Sequence, residues 1–517
     1  MRDIEQGKGG LLEESYEWII HHPSSRQFQT DDQKRLLWIR GDPGHGKTML
    51  LIGIIKHLEH SSPEAGLAYF FCQGPNAHMN SSTAVLRGLI YRLIMSRPCL
   101  ITHLQERYDR HKGLFQDRSS FFALSDIAGR MLRDPKLGRA YIVIDALDEC
   151  ETSQDQLLNF IAENISASPS VKWIVSSRNV SNIVDQLSQT SPEIHIHLNL
   201  AENPNEVIQA VNSYIDDRIA KLSVLRGSHE LKNQVRNVMR DKAANTFLWV
   251  AIVAKELEKV KKWNVLKVLN SVPSGLEGLY GRMMKNIENL EMDDPELCYR
   301  VLATATLAYR PFHLAEMGVL AGLPDEISSD PDNIKEIVNM CGSFFRIQND
   351  SIQFIHQSAK DYLHKHASDI LFASGHGATH LDLFTRSIHI LSEKLKRNIY
   401  QLEFPGTLIE DIKVPQLDPL KEVRYSCIYW VNHLWDWNET GMSLEDVLQD
   451  NGQVHRFLRN HILHMLEASS LVGAIADVIY GVIKLQTLIK VSRMQLITIS
   501  EKKTYLTRYR MQLATLL

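Results

Sequence analysis

The 517-residue chain has little that would tie it to a metal cluster, a disulfide scaffold, a nucleic acid or a bilayer. Its six cysteines, Cys72, Cys99, Cys150, Cys298, Cys341 and Cys427, are far apart and form no CxxC pair. That spacing indicates neither a zinc cluster nor a disulfide framework, and it fits a reducing, cytoplasmic setting. A formal charge of -4, spread over 57 basic and 61 acidic residues, leaves no basic block able to neutralise a phosphate backbone. Nucleic acid is therefore not an expected partner. The opening MRDIEQGKGG lacks the apolar core of a signal peptide. The most apolar late stretch, LVGAIADVIYGVIKLQTLI, carries Asp477 and Lys484. Charge at bilayer depth is costly, so a buried helix is expected there and no membrane span. Length asks for roughly three or four folded units, because a single core does not grow that large.

What the sequence does contain is a change of period along its length. Five apolar runs, RLLWIR, LAYFFC, YIVID, VKWIVSS and EIHIHL, recur between helical stretches in the first part of the chain. Most are apolar at nearly consecutive positions, as strands covered on both faces by helices must be. They predict an α/β domain with a parallel five-stranded sheet over residues 31–202, behind an N-terminal linker helix at 1–30. From about Asn203 the period turns helical, through EVIQAVNSYIDDRIAKL and FLWVAIVAKELEKVKKW, which predicts a small helical domain at 203–272. SVPSGLEGLYGRMMKNI then opens a mostly helical unit, 273–375, that closes on SFFRIQNDSIQFIH. The latter reads as two short strands about an Asn349-Asp350 turn, and helices followed by such a hairpin resemble a winged-helix domain. Residues 376–517 read as an all-α C-terminal region of amphipathic helices, running in helix to the last residue. Only the proline-containing loop FPGTLIEDIKVPQLDP interrupts it, and no repeat of fixed period is found.

GDPGHGKT, Gly41 to Thr48, lies between the first strand and the helical run TMLLIGIIKHLE and matches the P-loop pattern GxxxxGK[ST]. Gly41, Gly44 and Gly46 admit backbone conformations closed to residues with a Cβ, so successive N–H groups can point at phosphate oxygens. The helix that begins near Gly46 adds its positive dipole end. Lys47 would reach the β- and γ-phosphates, and the Thr48 hydroxyl would bind Mg²⁺. A glycine-rich turn without a ligand is the bland alternative, and the strand before and helix after argue against it. His45 reads as a loop residue.

Two further elements end strands at the same edge. YIVIDALDEC delivers Asp145 to the C-terminal end of its strand, where a carboxylate can hold magnesium or its waters. Asp148 and Glu149 follow at once and could orient or deprotonate an attacking water. A solvated acidic helix start is the bland reading of these residues. Arg178 ends VKWIVSSR, where a guanidinium could contact a γ-phosphate and report its presence; a lone surface arginine is the alternative.

Together these elements resemble the NACHT branch of the STAND nucleotide-operated switches, in particular the fungal NOD-like receptors that include vegetative incompatibility proteins. The resemblance covers about residues 10–467 through LLEESYEWII, LLWIRGDPGHGKTMLLIGII, LAYFFCQG, AVLRGLIYRLI, YIVIDALDEC, KWIVSSR, FLWVAIVAKEL, FIHQSAKDYL, RYSCIYWVNHL and VHRFLRNHILHMLEA. It implies ATP or ADP as nucleotide, with GTP left open, and Mg²⁺. It also implies Asp145 near the magnesium, Asp148 and Glu149 in hydrolysis, and Arg178 as the sensor after the fourth strand. His356, in FIHQSAKDYL, matches the histidine that contacts the β-phosphate of ADP in the closed form; from the residues alone it is a core-edge residue after a strand. Asn245 stands where many relatives have glycine, and asparagine can still adopt the left-handed conformation there.

No recognisable effector domain precedes Gly10, and no WD, ankyrin or tetratricopeptide repeats follow the helical region, so a nucleotide-binding core is expected. The implied function is a slow NTPase that alternates between an ADP-bound closed monomer and an ATP-bound homo-oligomer. It would act on an unknown effector protein in fungal non-self recognition or programmed cell death. Two other readings stay open: a housekeeping P-loop ATPase with continuous turnover, and a non-catalytic nucleotide-binding scaffold.

Overall fold

The computed structural model describes residues 1–7, 10–76, 78–108, 120–188, 193–404, 407, 411–439 and 445–490. The expected helical end beyond residue 490 and parts of the loop at 404–419 lie outside them. The chain divides into two compact units, Met1–Glu288 with Phe354–Tyr362, and Asn289–Gln353 with Leu363–Leu517.

In the first unit the five apolar runs are the five strands: β1 (Leu36–Arg40), β2 (Gly66–Phe71), β3 (Ala140–Asp145), β4 (Val171–Ser177) and β5 (His195–Asn199). They form one sheet in the order β2-β3-β4-β1-β5, parallel throughout. Every residue of β3 and β4 is buried, which is why AYIVI in the one and WIV in the other are apolar at consecutive positions instead of alternating. Trp38 and Trp173 are wholly buried, and the Trp38 indole N–H donates to Ser177 Oγ at 2.9 Å, so its polar atom is satisfied within the core. The registers Arg40↔Ser177 and Phe71↔Asp145 bring several strand ends to one edge, from which the candidate residues emerge.

Helices Lys47–Ser61, Ser82–Ser96, Phe121–Arg133 and Gln154–Ala167 belong to this α/β part. Ser81 caps the second of them by accepting from Ala84 N–H at 3.3 Å. The N-terminal stretch is a series of short helices, with Glu17–His21 and Pro23–Thr30 meeting at His22. Proline at the first position of the second helix and the His22 side chain accepting from Ser24 N–H set that break. After β5 come helices Pro204–Lys221, His229–Lys242, Phe247–Leu257, Val265–Ser271 and Gly275–Glu288. Ahead of Phe247 the backbone is left-handed at Asn245, φ 58°, and also at Ala244, φ 47°.

The second unit holds helices Asp294–Thr306, Leu314–Leu320 and Pro331–Met340 and a sheet of β6 (Phe312–His313), β7 (Phe345–Gln348) and β8 (Ser351–Phe354), ordered β6-β8-β7. Asn349 and Asp350 have φ of 50° and 59°, the pair of left-handed residues that a tight two-residue hairpin requires. Further helices run over His376–Lys394, Arg424–Glu439 and Gln453–Leu471, and residues 475–490 are helical. This last helix is not buried as expected. Val478, Leu485 and Leu488 face inward, while Ile479, Tyr480 and Ile483 are exposed, so it lies on the surface with one inward stripe. Among the described residues no helix is long and apolar enough to cross a membrane. All six cysteines are free thiols.

A buried polar network crosses the second unit. Arg310 holds Glu316 at 2.8 and 2.7 Å, and Glu316 accepts in turn from the Tyr425 N–H at 2.9 Å. The Tyr425 hydroxyl accepts from the Tyr309 N–H and lies 2.8 Å from His433 Nε2, while His433 Nδ1 lies 2.9 Å from His380 Nδ1. Asp436 accepts from the Tyr309 hydroxyl and is 4.0 Å from His380. One proton placement satisfies the chain: Tyr425 donates to His433, and His433 donates to His380 with both rings neutral. Burial pushes the pKa of His433 well below its ordinary value, with His380 adding to the effect. Burial also lowers His380, against Asp436 and together with His376.

A histidine depressed in the folded state contributes stability that is present above about pH 6.5 and is lost as the pH falls toward its folded pKa. Acid unfolding of the full chain is expected to steepen below pH 6.5. His433→Phe should flatten the slope of stability against pH by about one proton, about 1.4 kcal/mol per pH unit. An unchanged slope in urea titrations at pH 7, 6 and 5 would show that His433 does not carry the dependence.

Candidate functional site

The loop between β1 and helix Lys47–Ser61 has the backbone its glycines permit: φ is 81° at Gly44 and 84° at Gly46, which caps the helix. A Cβ at Gly44 would lie 2.6 Å from Thr246 Cγ2, and one at Gly46 would lie 2.9 Å from the Phe247 ring. The turn through Ala244 and Asn245 therefore lays Thr246 and Phe247 against the loop. Gly41 packs similarly closely on Leu200. Lys47 Nζ donates to the carbonyls of Gly41 at 2.5 Å and Asp42 at 3.1 Å. Burial lowers the Lys47 pKa, opposed by Asp148, Asp145 and Glu149, with Arg178 acting the other way. Thr48 follows in the first helical turn. His45 is lowered by burial and by Lys47, against Asp42.

Asp145, the last residue of β3, is 2% exposed and accepts from Ser176 Oγ at 2.5 Å. Ser176 Oγ accepts in turn from the Ala146 N–H at 2.9 Å, at a residue with φ of 53° that turns the chain off the strand. The 3-10 turn Leu147–Glu149 then sends its two carboxylates to different partners. Asp148 accepts from Arg178 twice, from the backbone N–H at 3.0 Å and from Nε at 2.6 Å, while Glu149 Oε2 accepts from the Gly74 N–H at 2.9 Å. Arg178 leaves β4 at the same edge and donates from Nη1 to Asp361 at 2.6 Å. Burial opposes the charge on Arg178, but Asp361 and Asp148 together outweigh it and raise its pKa.

Lys47, Asp145, Asp148, Glu149 and Arg178 are thus one electrostatic group, with Gly41, Gly44, Gly46 and Thr48 in the loop beside Lys47. His356 precedes helix Gln357–His366; its Nδ1 accepts from the Ser358 N–H at 3.1 Å and lies 2.9 Å from Ser358 Oγ. A neutral ring in that position carries its proton on Nε2. Three contributors escaped the sequence reading: Asp361 on Arg178, Thr246 with Phe247 over the loop, and Asn80, which ties Gly74 O to Glu151 at 2.9 and 3.1 Å. Only the four-residue spacing of Gln357 and Asp361, which hydrogen-bond at 3.0 Å, offered a local signal. For a metal, Thr48 and Asp145 supply oxygen donors alone, and no group of three or more His, Cys, Asp or Glu among the described residues could hold an ion. Few protein oxygens are what Mg²⁺ takes when phosphates complete its shell.

Residues 14–178 match the family described as nephrocystin 3, N-terminal. The vegetative incompatibility protein HET-E-1 of Podospora anserina is 42% identical over 504 residues, which cover 94% of this chain and 37% of that protein. The chain therefore spans well under half the length of this curated relative. Among solved structures, a Walker-type ATPase of Pyrococcus abyssi is 13% identical, covering 66% of this chain and 94% of that one with a TM-score of 0.31. The RuvB Holliday junction branch migration motor of Thermotoga maritima is 14% identical, covering 68% and 94% with a TM-score of 0.26. Both structural likenesses are distant.

Proposed function

We propose that this chain, 42% identical to a fungal vegetative incompatibility protein over 94% of its length, is a nucleotide-operated switch of the NACHT kind. It binds ATP or ADP with Mg²⁺, hydrolyses ATP slowly, and changes from a closed monomer to a homo-oligomer that engages an effector protein. The observation that carries this reading is the convergence of Lys47, Asp145, Asp148, Glu149 and Arg178 on a left-handed glycine loop at the C-terminal edge of a parallel sheet.

The loop fits a polyphosphate. Gly44 and Gly46 hold left-handed backbone where a Cβ would collide with Thr246 and Phe247, and Lys47 is a half-buried cation that donates to the loop's own carbonyls, a weak substitute for phosphate oxygens. Thr48 and Asp145 would hold Mg²⁺, which when bound would neutralise charge between the phosphates. Ser176 fixes Asp145 for that role. Glu149 would take a proton from water, Arg178 would meet the terminal phosphate, and His356 would donate from Nε2 to the β-phosphate of ADP. Asp148 and Asp361 both accept from Arg178, which supports a switch, because the guanidinium has a carboxylate partner that can alternate with a phosphate.

Light scattering of the purified chain with ADP and with a non-hydrolysable ATP analogue tests the reading. A monomer with ADP and a multiple of that mass with the analogue are expected, with turnover far below the ordinary enzyme median of about 10 per second. Equal masses with ordinary turnover would establish the housekeeping ATPase instead. Binding with neither a change of mass nor hydrolysis would establish the scaffold.

A further inference from the structure

Phe354–Tyr362 belongs to the first compact unit, although the chain on either side of it belongs to the second. Its side chains meet the sheet edge at three points. Asp361 Oδ2 accepts from Arg178 Nη1 at 2.6 Å. Gln357 Oε1 lies where it would be 2.9 Å from a Cβ at Gly74, the residue whose N–H holds Glu149. Lys360 is half-buried, and the Glu151 and Asp361 carboxylates favour its charge against the desolvation.

The two carboxylates on Arg178 are not equivalent. Asp148, whose side chain is 4% exposed, binds the base of the guanidinium at Nε and the backbone N–H, and so fixes its direction. Asp361, 40% exposed, takes the tip at Nη1, with its second oxygen held by Gln357. One is a built-in mount; the other is an anion at the end of the side chain that a second anion can replace.

We propose that Asp361 sets the preference between nucleoside di- and triphosphate by occupying Arg178 in place of a terminal phosphate. This rests on the nucleotide reading above. With a diphosphate in the loop, Asp361 supplies the missing negative charge to the guanidinium and keeps Phe354–Tyr362 on the sheet edge. A terminal phosphate and Asp361 compete for the same tip, so triphosphate binding displaces a segment joined at both ends to chain of the second unit.

The test is calorimetric titration of ADP and of a non-hydrolysable ATP analogue into the full chain and its variants. Asp361→Asn should tighten the triphosphate by about fivefold to tenfold and change ADP by less than about twofold. Asp361→Ser should do the same, and Asp361→Glu should restore the wild-type ratio. In an Arg178→Ala background, removing Asp361 should leave the ratio unmoved. Equal shifts for both nucleotides, or a shift that survives Arg178→Ala, would overturn the proposal while leaving the site intact. A wild-type chain that binds neither nucleotide would overturn the nucleotide reading and this inference with it.

Discussion

Lys47→Ala is expected to abolish measurable binding of ATP and ADP, a loss of at least about a hundredfold, while the chain stays folded. The loop is otherwise built from backbone dipoles, and Lys47 is the one side-chain cation it contains. Its ammonium is half-buried, and desolvation pulls its pKa down from the usual lysine value against the pull of Asp148, Asp145 and Glu149. A cation held this way is costly to bury and gives up little when carbonyls are its partners, so its removal should cost the ligand-free chain no more than about 1 kcal/mol. The two effects separate cleanly. ADP at a hundred times its dissociation constant should stabilise the wild-type chain by about 2.7 kcal/mol and the variant not at all. Wild-type affinity in the variant by calorimetry would remove the loop from nucleotide binding.

The sheet was legible because burial on both faces writes itself into consecutive residues: YIVID and VKWIVSS could hardly be anything but central strands. The loop was legible because its glycines and lysine act locally, within one turn of chain. β6 was not, since two residues, Phe312 and His313, carry no period. The surface helix at 475–490 misled because its charges excluded a bilayer without saying which face was wet; the inward positions Val478, Leu485 and Leu488 are spaced along one stripe. Asp361 was invisible for a different reason: it meets Arg178 across 183 positions of sequence, and nothing near either residue announces the other. Asn245 was legible as a left-handed position, but Ala244 beside it was not, because alanine gives no sign of the strain it accepts there.

Asp148 and Glu149 read in sequence as one acidic pair, and the structure sends them apart, which predicts different losses on mutation. Asp148 gives both oxygens to Arg178 and is almost wholly shielded from solvent, so it is poorly placed to accept a proton from water. Glu149 is half-buried, and its Oε2 accepts from a backbone N–H at Gly74. Glutamine can make the same hydrogen bond through its carbonyl oxygen, so Glu149→Gln keeps the shape of the site and removes the base. Hydrolysis should fall by about 10² to 10³-fold with ATP affinity within about twofold of wild type. Asp148→Asn loosens Arg178, because an amide can accept from Nε or from the backbone N–H but carries no charge to hold the guanidinium. It should therefore slow hydrolysis by only about tenfold and weaken the triphosphate more than the diphosphate. Single-turnover phosphate release, read beside calorimetric affinities for both nucleotides, distinguishes the two. Unchanged release in Glu149→Gln would take that residue out of the reaction. Equal loss in both variants with equal loss of binding would mean that the turn after β3 supports the fold and neither carboxylate acts on water.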